Sequence, residues 1–343
     1  MWTRIPLTVT PALLAMYMPM CAAHVRPTAP PWDARMSELW ALPENIAERD
    51  LFYGPWGEQN APDPQGVYRF KANKDHGTNP GVVVVDQDGR EWHVKQPPKN
   101  HQGDEGPVEV VLSRVLSATG YHQPPVYYLP SFTIEDENGA HIEAGGRFRL
   151  SMPSLKKEDD WSWQQNPFVG TKPYQGLLVI LMMFNSSDLK NDNNTLYRHA
   201  RPDGTTEQWY VVRDLGTALG ETGRLFPHRS DPDIFEHHTF ISHVDDGYVA
   251  FSYHGWHQEL FRRRITPEEV EWASDLLNGL SFGQWMDAFR AGGYDAPTAR
   301  RFVAALYRRI AEGYRVASLD ARVNPWLHGP KRPQPAESST SPY

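Results

Sequence analysis

Residues 184–197 read FNSSDLKNDNNTLY and follow directly on YQGLLVILMM, residues 174–183. The second of these stretches is apolar on every side, which predicts a buried helix. The first then crowds hydroxyls, carboxamides, carboxylates and one lysine into a single loop. A buried helix holds such a loop rigidly, as the floor of a cleft. The chemistry of the floor lies in Asp188, Lys190 and Asn193. An aspartate there orients a hydroxyl and accepts its proton. A lysine two residues on neutralises a transferring phosphoryl group, and an asparagine three residues later ligates Mg²⁺ through its carbonyl oxygen.

The elements on either side set the architecture. Upstream, GVYRFKA (66–72), GVVVVDQDG (81–89) and REWHVKQ (90–96) alternate or run apolar between Gly, Asn and Asp turns, which predicts strands. DQDGRE (86–91) between the last two is a hairpin signal. GPVEVVLSRVLSATG (106–120) predicts a helix, with Pro107 in its first turn, a stripe of Val108, Val111, Leu112 and Val115, and Gly120 at its end. PPVYYLPSFTIED (124–136), a turn at ENGAH, and GRFRLSM (146–152) predict two more strands. PSLKKEDDWSW (153–163) is polar and predicts a linker between lobes, and EQWYVVRDLGTALG (207–220) a strand ending in a turn. The last third is helical, with capping boxes at Thr266–Glu269 and Ser281–Gln284. The chain therefore divides into an arm (24–65), a β-rich lobe with one helix (66–152), a helical lobe (153–328) and a low-apolar tail (329–343).

Two further segments complete the constellation. VVRDLG places Asp214 at a strand end before a glycine turn, and Mg²⁺ prefers one or two carboxylates, waters and nucleotide phosphates. Asp214 with Asn193 makes such a site. EWHVKQ places Lys95 on a strand, and PVEVV places Glu109 near the start of the next helix. A strand lysine paired to that glutamate holds the α and β phosphates of a nucleotide.

Lys95, Glu109, Asp188–Lys190–Asn193 and Asp214 stand in the order found in the protein kinase-like superfamily. DLKNDN resembles the D-x-K-x-x-N catalytic loop, DLG resembles the D-F-G metal motif, and FNSSD resembles the HipA-type and phosphoinositide-kinase-like branches. The resemblance spans roughly residues 66–320, by order of elements rather than continuous identity. It implies an α+β, two-lobed kinase-like fold that uses ATP and Mg²⁺. In it Lys95 and Glu109 hold the nucleotide, Asp188 is the base with Lys190 beside it, and Asn193 and Asp214 ligate the metal. No H-R-D precedes Asp188, no G-x-G-x-x-G lies in KANKDHGTNPG (71–81), and A-P-E is missing, which points to an atypical member.

Composition limits the partners. A net charge of −8 with no basic run argues against nucleic acid, and a mean hydropathy of −0.59 argues against a polytopic membrane protein. The single cysteine, Cys21, excludes disulfides and thiolate metal sites. MWTR, an apolar stretch broken by three prolines, and CAAH predict a signal peptide over 1–23, or a lipid anchor at Cys21. Either gives an exported protein, periplasmic, secreted or lipoprotein; without a leader it is cytoplasmic. Three functions fit: a phosphotransferase on a protein, lipid headgroup or small molecule, with nucleotidylyl transfer as its variant; a catalytically silent pseudokinase scaffold in the envelope; or a hydrolase metal centre built from His237, His238, His243, Asp245 and Asp246.

Overall fold

A computed structural model describes residues 35–74, 79–98, 105–223 and 228–323. The leader reading, Cys21 included, and the tail reading fall outside these residues.

Strands β1 (Val67–Asn73), β2 (Gly81–Val85), β3 (Glu91–Lys95), β4 (Val126–Asp136) and β5 (Gly139–Leu150) close into a barrel in the order β1-β2-β3-β5-β4. The closing pair is parallel, Val67 opposite Thr133, and the other pairs are antiparallel. Period-two alternation sends Tyr68, Val84, Trp92, Val94, Phe132 and Phe148 into the barrel, where they form one apolar cluster. Phe148 packs edge-on to Phe132 at 5.1 Å between ring centroids. The same alternation turns His93 and Lys95, and their partners Arg149 and Arg147, to the opposite face of the sheet.

Helix α1 (Glu105–Ala118) crosses from β3 to β4. Its expected stripe of Val108, Val111, Leu112 and Val115 is buried, yet joins the core of the helical side rather than that of the barrel. Gly120 ends it at φ +101, where a Cβ would lie 2.2 Å from the Ala41 carbonyl oxygen.

Helix α2 (Lys172–Met183) is buried along its apolar run, with Gly176 so close to Trp272 that a Cβ would stand 2.1 Å from the indole. After the short α3 (Pro232–His237), helices α4 (Pro267–Asn278), α5 (Phe282–Ala291) and α6 (Ala296–Val323) share the core with α2. Both expected capping boxes are formed, at Thr266–Glu269 and Ser281–Gln284. Among the described residues no helix is long and apolar enough to cross a membrane. The architecture is thus the expected α+β one, a β-rich part with one helix followed by a helical part.

Two local expectations differ. LKKED in the expected linker is strand β6 (Leu155–Asp159), the edge of a three-stranded sheet with β7 (Asn194–Ala200) and β8 (Thr206–Val212). Its residues are largely exposed, as suits a charged edge strand, so its sequence carries no alternation. The arm is woven into the main core: Met36, Leu39, Trp40 and Leu51 are buried there. Trp40 Nε1 donates to Thr119 O at 2.7 Å, and Gln284 Nε2 to Ile46 O at 2.7 Å and Arg49 O at 2.8 Å. The arm's one helical signal, ARMSELWAL (34–42), forms a single 3₁₀ turn at Met36–Glu38.

Candidate active site

The cleft between barrel and helices is built by three structural devices. The first is the end of β3, which presents Lys95 away from the barrel core. Its ammonium lies 3.5 Å from Glu109 Oε2 on α1 and 3.3 Å from Asp214 Oδ1, just beyond β8. Burial pulls Lys95 towards neutrality, but Glu109, Asp214 and Glu105 outweigh it and hold the pKa above the ordinary lysine value.

Glu109 is itself a bridge. Its Oε1 is 3.0 Å from Arg147 Nε, and Arg147 stands opposite Lys95 in the β3–β5 register. Burial pushes the Glu109 carboxyl up, and Arg147 and Lys95 bring it below the usual range.

The second device is the β7–β8 hairpin. Its ladder, Asn194 opposite Val212, extends one step further, with Arg213 N donating to Asn193 O at 3.0 Å. That step makes Asn193 and Asp214 neighbours. Asp214 adopts φ +50, and burial of its carboxyl is overruled by Lys95, Arg213 and Arg147, which hold it well below the usual carboxylate range. Its side chain remains 37% exposed, so the carboxylate is reachable from the cleft.

The third device is the loop after α2. Asn185 sits at φ +54, its Nδ2 donating to Gly220 O at 2.6 Å and its Oδ1 accepting from Arg309 Nη1 at 2.8 Å. Ser187 N donates to Thr217 O, and Ser187 O accepts from Tyr253 Oη and Trp256 N. These bonds fix Asp188 against the segment that follows Asp214. Lys190 Nζ pairs with Asp188 Oδ1 at 2.9 Å and lies 5.0 Å over the Trp256 ring. Asn193 Nδ2 donates to Asp188 O at 2.7 Å.

Direct contacts therefore connect Lys95, Glu109 and Asp214, and through the Asn193–Arg213 step reach Asp188 and Lys190. The donor set fits Mg²⁺: one accessible carboxylate, and one carboxamide whose nitrogen is committed, leaving its oxygen for the ion. Among the described residues no group of three or more His, Cys, Asp or Glu could hold a metal, which corrects the hydrolase-centre reading. Asp245 and Asp246 instead pair with Arg263 at the turn between β9 (Ile241–Asp245) and β10 (Tyr248–Phe251). His237 Nδ1 is bonded to Asp233 O at 2.7 Å.

Four residues of the cleft escaped the sequence reading. Glu105, in the first turn of α1, is 2.6 Å from Lys95 Nζ, accepts from Asn79 Nδ2 at 2.6 Å and pairs with Arg229. Arg147, Arg149 and Arg213 also line it. The alternation of GRFRL is the signal that could have found the two β5 arginines, since Phe148 and Leu150 must take the barrel side.

A small β barrel presents a lysine to a glutamate on its one helix, and an Asn and an Asp from the hairpin of the helical part face it. No family model matches the chain, and no curated protein matches it. Solved structures to which it is similar include the Helicobacter pylori proinflammatory kinase CtkA, at 11% identity and a TM-score of 0.43, over 74% of this chain and 94% of that one. A Golgi casein kinase is 12% identical at a TM-score of 0.36, over 78% and 75% of the two chains. The Rio2 kinase–ADP/Mg²⁺–phosphoaspartate complex of Chaetomium thermophilum is 11% identical at 0.28, over 71% and 72%.

Proposed function

We propose that the chain is an atypical kinase-like phosphotransferase using Mg-ATP, with a hydroxyl on a protein, lipid headgroup or small molecule as acceptor. The observation that carries this reading is the Lys95 ammonium, placed between Glu109 at 3.5 Å and Asp214 at 3.3 Å. In this reading Lys95, oriented by Glu109, binds the α and β phosphates. Asp214 and the Asn193 carbonyl oxygen hold Mg²⁺, which when bound neutralises charge on the phosphates. Asp188 orients the acceptor hydroxyl and takes its proton. Lys190, paired with Asp188, lies beside the transferring group and offsets its charge. The leader at 1–23 fits an exported enzyme, or one anchored through a lipid on Cys21.

The test uses γ-labelled ATP with Mg²⁺ and mixed acceptor pools, on wild type, Asp188→Asn and Asp214→Asn. Label transfer should vanish in both variants while their melting curves remain cooperative. Transfer that survives in both defeats the assignment. A protein that binds no nucleotide with or without Mg²⁺ is the silent scaffold instead. Pyrophosphate release in place of ADP identifies the nucleotidylyl variant.

A further inference from the structure

The wall of the cleft beside Lys95 carries more positive charge than its carboxylates can match. In the β3–β5 register Lys95 faces Arg147 and His93 faces Arg149, all on the side away from the barrel core. Arg213 enters from the helical part, one residue before Asp214. Glu109 is taken by Arg147 and Lys95, Glu105 by Lys95 and Arg229, and Asp214 by Lys95. Among the described residues no carboxylate lies within ion-pair distance of Arg149 or Arg213.

Arg213 is held by neutral hydroxyls, Nη1 donating to Thr195 Oγ1 at 3.1 Å and the guanidinium also bonding the Tyr197 side chain, and the more distant charges of Asp214 and Glu109 favour its charged form. Arg149 Nη1 is closed off from solvent and has no acceptor. A guanidinium donor left so incurs the full cost of desolvation unless something accepts from it. Burial, then the charges of Arg213 and Arg147, push Arg149 down to about 9, the direction expected of a cation that lacks its counter-ion. The whole chain carries −8, so a cationic recess is a local arrangement and not a reflection of bulk charge.

We propose that Arg149 and Arg213 form an anion subsite in the cleft wall, beside the Lys95–Asp214 pair, that takes a phosphate-type oxyanion. Arg213 lies near enough for its charge to act on Arg149, and two neighbouring guanidinium forks match the several acceptor oxygens of a phosphate. The proposal deepens the phosphotransferase reading and rests on it for the cleft being a nucleotide site. The oxyanion has two sources: a phosphate of the nucleotide itself, lying with its tail towards β5, or an anionic group of the acceptor.

The test titrates inorganic pyrophosphate into the full chain without Mg²⁺, by calorimetry. Wild type should bind it, Arg149→Met and Arg213→Met should each lose about tenfold or more in affinity, and Asp214→Asn should retain binding. Arg149→Met should also melt at a higher temperature than wild type, since it removes a guanidinium donor that is closed off from solvent and has no acceptor. Should Arg149→Met fail to fold, Arg149→Lys replaces it, with an intermediate affinity expected. Equal pyrophosphate affinity in wild type and the arginine variants, or no binding in wild type, overturns the subsite. Repeating the titration over saturating Mg-ATP assigns the source. Mutual exclusion makes the oxyanion the nucleotide's own, and simultaneous binding makes it the acceptor's; both support the subsite. If label transfer is absent yet the arginine variants lose pyrophosphate, the subsite stands and the reaction reading falls.

Discussion

Lys95 stands closer to Glu105, at 2.6 Å, than to Glu109, at 3.5 Å. Glu105 also binds Asn79 from the β1–β2 connection and Arg229 from the segment beyond Asp214. One carboxylate thus ties together three parts of the cleft rim and occupies a lysine donor that a phosphate would need. Glu105→Gln should keep the fold and bind Mg-ATP several-fold more tightly, because one competing anion beside the phosphates is gone. Calorimetric titration of wild type and variant decides it; weaker binding in Glu105→Gln would make the residue a support of the nucleotide site rather than a competitor.

Glu109 has the opposite character. It is 7% exposed and is shared by Lys95 and Arg147, so neutralising it leaves the buried Arg147 without a carboxylate, while Lys95 keeps Glu105 and Asp214. Glu109→Gln should destabilise the protein by about 3–5 kcal/mol, the cost of breaking a buried ion pair from one side. Urea unfolding measures this. A midpoint unchanged from wild type would mean that the barrel face and α1 are not held together by this carboxylate.

How much of this could be read from the chain depends on how far apart the determinants lie. Lys95, Glu109 and Asp214 were legible because each sits where a local pattern changes: strand to loop, loop to helix, strand to glycine turn. Asp188 and Asn193 were legible because a polar loop follows a uniformly apolar helix. The alternation of GRFRL places Arg149 on the polar face, but its position opposite His93 is set by the β3–β5 register, and Arg213 is brought near it by tertiary packing that no local pattern encodes. Glu105 lies only four residues before Glu109, yet its contact to Lys95 depends on how the first turn of α1 docks against the end of β3. Gly216 shows the same limit: a Cβ there would stand 2.4 Å from Glu105 Cβ, a close approach that D-L-G alone does not reveal.

That approach gives its own prediction. Gly216→Ala should push the first turn of α1 away and cost about 1–3 kcal/mol, as overpacking does in a tight contact. The loss should appear in thermal melting, together with weaker Mg-ATP binding. An unchanged melting curve would show that α1 shifts freely at its first turn.

His93 supplies a pH dependence. It stands opposite Arg149, and burial followed by that guanidinium's charge pushes it down to about 4. A base with a lowered native pKa is protonated first in the unfolded chain. Its contribution to stability is therefore complete above its unfolded pKa of about 6.5 and is lost as pH falls from there towards 4. The side chain is 40% exposed, so solvent screening reduces the effect between pH 7 and 5 to about 1 kcal/mol. Denaturant midpoints at the two pH values should separate more for wild type than for His93→Gln. Equal separations would mean that His93 is solvated in solution.

The rigidity of the loop carrying Asp188 traces to one arginine on α6. Arg309 is 4% exposed, and its Nη1 donates to Met183 O and Asn185 Oδ1, both at 2.8 Å. Its Nη2 donates to Phe235 O and His238 O, both at 3.1 Å, while the guanidinium lies 4.0 Å over the Phe235 ring. Burial pushes it down to about 9, but four oxygens disperse its charge, which distinguishes it from Arg149. A lysine has no planar fork with which to reach four separate acceptors. Arg309→Lys should therefore leave buried carbonyls unsatisfied and cost about 3 kcal/mol or more in urea unfolding. Asn185 would lose the bond that holds it at φ +54, three residues before Asp188, so transfer should fall further than the folded fraction does. Activity that simply tracks the folded fraction would show that Gly220 and Thr217 suffice to hold the loop.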